Sequence, residues 1–235
     1  SDLWLGGAIG RGGGSFLNMA NASASSVQTT GFLWGQWTPG DVDLRGWLGI
    51  SAYDIRGSRA TLLGGGAWAQ YGALQGIAAA EARAWWAVPG QSVRLAPVLG
   101  LQATRFNRHG YGESGGGVES FQAQAQDMAS LQSLLAAEVQ WTTVFGRQPL
   151  MLEGRLGWAH EFLATNPTIA GIYAGDRGGT GLSQTTQPLA ANEFRFGLAA
   201  VIRLADRTSL RFGYDGSYAS DFASHAVTLR LTAAW

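Results

Sequence analysis

A two-residue alternation, sustained over most of the chain and holding charge to one parity, limits the fold more than any other feature of this sequence. The final segment, SHAVTLRLTAAW (224–235), sets Val227, Leu229, Leu231, Ala233 and Trp235 on one parity and Thr228, Arg230, Thr232 and Ala234 on the other. Successive side chains of a β-strand point to opposite faces, so this segment has one apolar face and one wettable face. The same division recurs upstream. Glu193, Arg195 and Arg203 oppose Phe194, Phe196, Leu198, Ala200, Ile202 and Leu204. Glu153, Arg155 and Glu161 oppose Leu150, Leu152, Leu156, Trp158 and Phe162, while Arg211 and Asp215 oppose Leu210, Phe212, Tyr214 and Tyr218. Glu81 and Arg83 oppose Leu74, Ala78, Ala80, Ala82 and Trp86, and Asp43 and Arg45 oppose Val42, Leu44, Leu48 and Ile50. Arg105 and His160 break the rule by sharing the apolar parity. An Arg twelve residues beyond Val93 lies past the hydrocarbon if Val93 marks one interface, where it costs about 0–1 kcal/mol.

About ten such runs follow one another: 2–12, 26–38, 42–56, 70–88, 91–105, 130–146, 148–163, 192–205, 208–219 and 225–235. Most exceed the usual strand of about 5–6 residues and suit the roughly 9–11 that cross a bilayer at a tilt. TPGD (38–41), PG (89–90), GR (146–147) and ADRT (205–208) read as tight turns, and 106–129 and 164–191 as long polar loops. Short turns at one end and long loops at the other are the habit of outer-membrane barrels.

Parity alone fits two architectures. A soluble sandwich turns the apolar face inward, whereas a membrane barrel turns it to lipid and encloses the charges. Composition favours the barrel, since charged residues are 14% of the chain against roughly 25% in soluble domains. Many of the ten Trp lie near the ends of runs (Trp37, Trp68, Trp85, Trp86, Trp141, Trp158, Trp235), where a lipid–water interface suits an amphipathic ring. Backbone polar groups cannot go unpaired in lipid, so membrane strands must close on themselves. No apolar stretch is long enough for a membrane helix, and SDLWLGGAIG has neither the charged start nor the cleavage site of a signal peptide. The expected fold is an all-β, antiparallel transmembrane β-barrel in a single domain, 1–235. Its candidate lumen-facing charges are Arg45, Glu81, Arg83, Arg94, Glu138, Glu153, Arg155, Glu193, Arg195, Arg203, Arg211, Asp215 and Arg230.

Several segments resemble the C-terminal translocator domain of autotransporters, the type V secretion family. AAAEARAWWAV (78–88) is similar to the family's strand with a lumenal Glu and a following aromatic, and VRLAPVLGLQATRF (93–106) to its next strand, with Pro inside. LEGRLGWAHEF (152–162) and the closing SLRFGYDGSYASDFASHAVTLRLTAAW (209–235) also resemble family segments. The resemblance implies a twelve-stranded barrel in the bacterial outer membrane, preceded by a helix that threads the pore and joins a secreted passenger. It also implies that the barrel assembly machinery reads the last strand, with Val227, Leu229, Leu231, Ala233 and Trp235 as the insertion signal. The chain departs from that pattern: about ten strands are read, and LWLGGAIGRGGG resembles the third, so the linker helix, passenger and first two strands are expected to be missing, as in a fragment or a naturally reduced barrel, unless two strands are merged in that count.

The 16 basic residues, all Arg, balance 16 acidic ones, which leaves no excess of positive charge for nucleic acid. Absence of Cys removes disulfides and thiolate metal sites, and the three His are widely separated, so no metal or cofactor is expected. GESGG (112–116) satisfies G-x-S-x-G, but that chemistry needs Ser114 on a strand-to-helix elbow, and a glycine-rich loop followed by VESFQAQAQ does not supply one. Lumenal carboxylates could supply a raised-pKa pair. Interspersed arginines instead suit a hydrated structural network. The expected function is non-enzymatic export of an N-terminal passenger through a polar lumen. The alternatives are an outer-membrane barrel hydrolase, a non-translocating pore and a soluble β-sandwich.

Overall fold

A computed structural model describes residues 2–17, 21–163, 168–185, 190–220 and 222–233. Ten long strands dominate it: β1 Asp2–Leu17, β2 Ala22–Thr38, β3 Val42–Ala60, β4 Gly66–Ala84 and β5 Val93–Arg108, then β6 Gln126–Phe145, β7 Gln148–Glu161, β8 Asn192–Ala205, β9 Thr208–Ala219 and β10 Ala223–Ala233. Each pairs antiparallel with the next in one sheet, in chain order from β1 to β10. Among the described residues the outer edges of β1 and β10 have no partner strand.

The expected runs fall on these strands, except that 70–88 is interrupted: β4 ends at Ala84, and Trp86–Ala87 pairs separately with Arg94 and Leu95 of β5. Away from the tight turns, β1 runs on to Leu17 rather than 12 and β2 starts at Ala22 rather than 26. GRGGGS and ASASS carry no hydrophobic alternation, yet their backbones pair. At the other end the chain reverses tightly, helped by Gly40, Gly90 and Gly146 at φ +65, +73 and +64, a region that costs glycine nothing.

Pairing residues share a face, and the register puts every acid and arginine of the candidate lumen-facing set on one face. The other face carries exposed apolar side chains in every strand, among them Leu48, Leu99, Leu135, Leu156, Leu198, Phe212 and Leu229. Ion pairs link strands that are not neighbours in the sheet, so the sheet curls with its charged face concave. Across the middle of that face the buried apolar residues are small: Ala96 and Val98 of β5, Ala136 of β6 and Ala159 of β7.

The two segments expected as long loops are largely strand. Arg108↔Gln126 is followed in the same register by Tyr111↔Ala123 and Gly112↔Gln122, so Tyr111–Gly112 and Phe121–Ala123 prolong β5 and β6. Thr168–Tyr173 and Leu182–Thr185 prolong β7 and β8 with a one-residue offset, since Glu161↔Gln132 becomes Gly171↔Ala123 and His160↔Asn192 becomes Thr168↔Thr185. An offset of one residue flips the parity of every later side chain. Alternation therefore fades here while backbone pairing continues.

Tryptophan placement also differs from expectation at one position. Trp37, Trp68, Trp86, Trp141 and Trp158 are exposed on or beside the convex face, but Trp85 is buried and donates its Nε1–H to Asp43 Oδ2 at 3.1 Å. Trp235 lies outside the described residues.

Candidate functional site: the charged concave face

Glu81 and Arg83 lie on β4, Glu138 on β6 and Arg155 on β7, and the register sets all four on one face. Curling brings them together. Arg83 Nη1 donates to Glu138 Oε2 at 2.8 Å, and its Nη2 lies 3.3 Å from Glu81 Oε2. Arg155 closes the ring, reaching Glu81 Oε1 at 2.8 Å and Glu138 Oε1 at 3.1 Å. Arg83 and Glu81 cross β5 to do this, and β5 offers little to obstruct them. Gly100 stands opposite Glu81, where a Cβ would sit 3.2 Å from the Glu81 Cγ and 3.3 Å from the Leu134 Cβ.

Two guanidinium groups and two carboxylates make a neutral cluster. Its charges are largely out of water, with 6% of the Arg83 side chain exposed, 11% of Glu81, 12% of Glu138 and 30% of Arg155. Buried charges are tolerated only when paired and hydrogen-bonded, and removing one partner is far costlier than forming the pair is favourable. Arg83 Nε nonetheless has no partner among the described residues, nor does Arg45 Nε.

Arg45 stands directly opposite Glu81 in the ladder and lies 3.7 Å from Asp43, whose carboxylate also takes the Thr38 hydroxyl at 2.9 Å. Arg211 of β9 bonds Glu153 of β7 across β8, and Gln140 approaches the other oxygen of Glu153 at 3.5 Å. Arg195 holds Glu193 at 2.6 Å and Gln132 at 2.9 Å. Arg94 lies at the tight-turn end, over the Trp85 ring at 5.1 Å and 3.9 Å from Asp41. Asp215 lies against Gly197, while Arg230 stands opposite Arg211; Arg203, Arg230 and Asp215 have no ion-pair partner among the described residues.

Two arginines beyond the expected run boundaries belong to a second group on this face. Arg59 Nε and Nη2 grip Glu113 at 2.9 and 2.7 Å, and its guanidinium lies 5.9 Å from the Tyr173 ring. Buried Arg108 lies within cation–π distance of Tyr71 and Tyr111, whose rings stack at 4.3 Å. Parity would have found both, had β3 and β5 been carried to their true ends. Gln132 and Gln140 were legible by the same parity but carry no charge to attract notice.

Arg105 and His160 are on the convex face. Arg105 pairs with Asp127 there, and His160 Nδ1 lies 3.0 Å from Asn192 Oδ1, which also accepts from Trp158 Nε1 at 3.1 Å. Of the last-strand residues, Val227, Leu229 and Leu231 are exposed on the convex face, Ala233 pairs with Thr208, and Trp235 is not described.

Ser114 does not sit on a strand-to-helix elbow. Its backbone exchanges two hydrogen bonds with Trp68, at 2.8 and 2.9 Å, as a bridge prolonging the sheet. Among the described residues no group of three or more His, Asp or Glu is placed to hold a metal ion. Each oxygen of Glu81 and of Glu138 faces a guanidinium nitrogen.

Comparison with known proteins places this geometry. The chain superposes on the translocator domain of the autotransporter NalP from Neisseria meningitidis with a TM-score of 0.80 and 14% identity, over 99% of this chain and 76% of that one. The β domain of the Bordetella autotransporter BrkA aligns with a TM-score of 0.58 and 14% identity, over 90% of this chain and 73% of that one. At identities this low the likeness is one of fold alone. No curated protein sequence gives a significant match. The family model for the autotransporter beta-domain matches residues 1–215, and the chain therefore belongs to the autotransporter β-domain family, the outer-membrane translocators that export a passenger.

Proposed function

We propose that this β-domain stands in the bacterial outer membrane with its convex face against acyl chains and its charged concave face lining a hydrated lumen. An N-terminal passenger is threaded through that lumen to the cell surface. The division of faces carries the reading: Leu48, Leu99, Leu135, Leu156, Leu198, Phe212 and Leu229 are exposed on the convex side, while arginines and acids interlock on the other. A soluble sandwich would bury that apolar face against a second sheet. The interlocked charges, such as Arg83 and Arg155 with Glu81 and Glu138, hold water in the channel while neutralising one another.

Val227, Leu229, Leu231, Ala233 and Trp235 serve as the signal read by the barrel assembly machinery. Among the described residues the outer edges of β1 and β10 have no partner strand, and in lipid both must be paired for the barrel to close. The chain has no catalytic role in this reading: Ser114 is a sheet residue, and the carboxylates are ion-paired anchors.

The test is export itself. The full-length protein, carrying an epitope in its passenger, is produced in a Gram-negative host, and intact cells are treated with protease. Epitope lost from intact cells, with a heat-modifiable barrel in the outer membrane, is the expected result. An assembled barrel whose epitope stays protected until the outer membrane is opened would overturn the reading.

A further inference from the structure

The rim opposite the tight turns is uneven. β3 and β4 run for 19 residues each, and β5 to β8 are prolonged by the four short strands, whereas β9 has 12 residues and turns into β10 between Ala219 and Ala223. At about 3.4 Å per residue and a tilt of about 40°, 12 residues climb roughly 31 Å and 19 residues roughly 49 Å, against an apolar band of about 25 Å.

The convex face marks the same difference independently. On β9 and β10 an aromatic group with polar tips reaches almost to the hairpin: the Tyr214 hydroxyl meets His225 Nδ1 at 2.7 Å, and the Tyr218 ring lies edge-on to His225 at 5.5 Å. Such rings sit at a lipid–water interface. On β3 and β4 the convex face turns polar at Asp54, Arg56 and Gln70, with the exposed Trp68 just beyond them, and the strands continue to Ala60 and Gly66. The sheet therefore stands well above the membrane around β3 to β8 and ends near its surface at β9–β10.

The concave faces of the two sectors also differ. Above the band, the tall sector is filled by its own side chains, with the Arg59–Glu113 pair, the Tyr71–Tyr111 stack and Phe121 against Tyr173 at 5.1 Å. A chain passing there would have to break them. At the low sector the concave residues are Ser217 and Ala219 on β9 and Ser224 and Ala226 on β10, with Ser217 directly opposite Ser224. Small side chains with hydroxyl groups accept an extended backbone without selecting its side chains.

We propose that the exported polypeptide leaves the lumen through this notch, crossing the rim in extended form over Ser217, Ala219, Ser224 and Ala226. This rests on the translocator reading above. In the full-length protein, with export stalled by a disulfide-closed loop in the passenger, a photo-crosslinking residue is placed singly at Ser217, Ser224, Tyr111 or Tyr173. Adducts to the passenger several-fold stronger from 217 and 224 than from 111 and 173 are expected. Adducts equal or stronger from 111 and 173 overturn the exit route and leave translocation standing. Assembled barrels that give no adduct anywhere and no surface passenger overturn the translocator reading, and the exit route with it. As a second measure, S217W/S224W slows passenger arrival several-fold at an unchanged level of heat-modifiable barrel, whereas S217A/S224A does not; equal rates in the two variants also refute the route.

Discussion

Arg155 of β7 donates through Nη2 to Glu81 of β4 at 2.8 Å, although β5 and β6 stand between their strands. Three strand spacings of about 4.8 Å would hold the two backbones some 14 Å apart in a flat sheet. Their contact across the concave face is therefore both a product of the curl and a clamp on it.

Replacing Glu81 by Gln leaves Arg83 and Arg155 sharing Glu138 alone. We expect a loss of about 3 kcal/mol, the low end for a broken buried pair because Arg155 keeps almost a third of its surface in water. Urea unfolding in micelles, followed by heat-modifiable mobility, measures it. The double variant E81Q/R155Q should lose less than the sum of the single changes, because the two residues act as one unit. Strict additivity would show that they do not.

Gly171 lies where any Cβ would overlap the Gln122 carbonyl oxygen and the Phe121 ring. Gly171→Val must therefore part the prolonged strand Thr168–Tyr173 from Phe121–Ala123, at a cost of about 1–3 kcal/mol or more. The damage stays above the membrane. Limited proteolysis of the assembled barrel should cut within 113–181 much faster than in the parent while the heat-modifiable core survives, and an unchanged digestion pattern counts against the upper sheet described here.

Leu229 faces outward opposite Phe212, near the middle of β10. Leu229→Arg puts a cation on the lipid side, where the cost is about 2–4 kcal/mol at midplane. Outer-membrane levels of folded barrel should fall, while Thr228→Arg on the concave face should be tolerated. Equal levels for the two variants would contradict the assignment of faces.

Asp176 accepts from the backbone N–H groups of Gly181, Gly178 and Gly179 and from the Thr180 hydroxyl, each within about 3.1 Å. The Gly181 N–H above all, then the Thr180 hydroxyl, hold its carboxyl below the ordinary aspartate value. A depressed folded-state pKa contributes stability that is present above the unfolded value of about 3.9 and lost as the pH falls through the folded one. The turn 176–181 should thus stay protease-resistant at pH 6 and loosen on acidification below pH 4. Asp176→Asn should flatten that dependence; a variant as pH-sensitive as the parent would show that another group controls the turn.

Membrane strands spell themselves out in sequence because lipid on one side and water on the other enforce a strict period of two. That is why ten runs, their tight turns and the common face of Arg45, Glu81, Arg83, Glu138 and Arg155 were legible in the residues alone. Above the membrane both faces meet water, the selection for alternation lapses, and a one-residue offset is enough to disguise strands such as Thr168–Tyr173 as loop. Trp85 was misplaced for a related reason: parity states which residues share a face but not which carboxylate a ring nitrogen will find.

The sequence by itself determined the strand count of this sheet, its faces and its family, since these follow from local periodicity and segment order. Only the tertiary structure decided which charges meet. Arg83 with Glu138 and Arg155 with Glu81 are joined across intervening strands by the curvature of the sheet, a property of β4 to β7 together and not of any one of them. The same holds for the rim, whose height at β3–β8 and notch at β9–β10 emerge when hairpins of unequal length are set side by side.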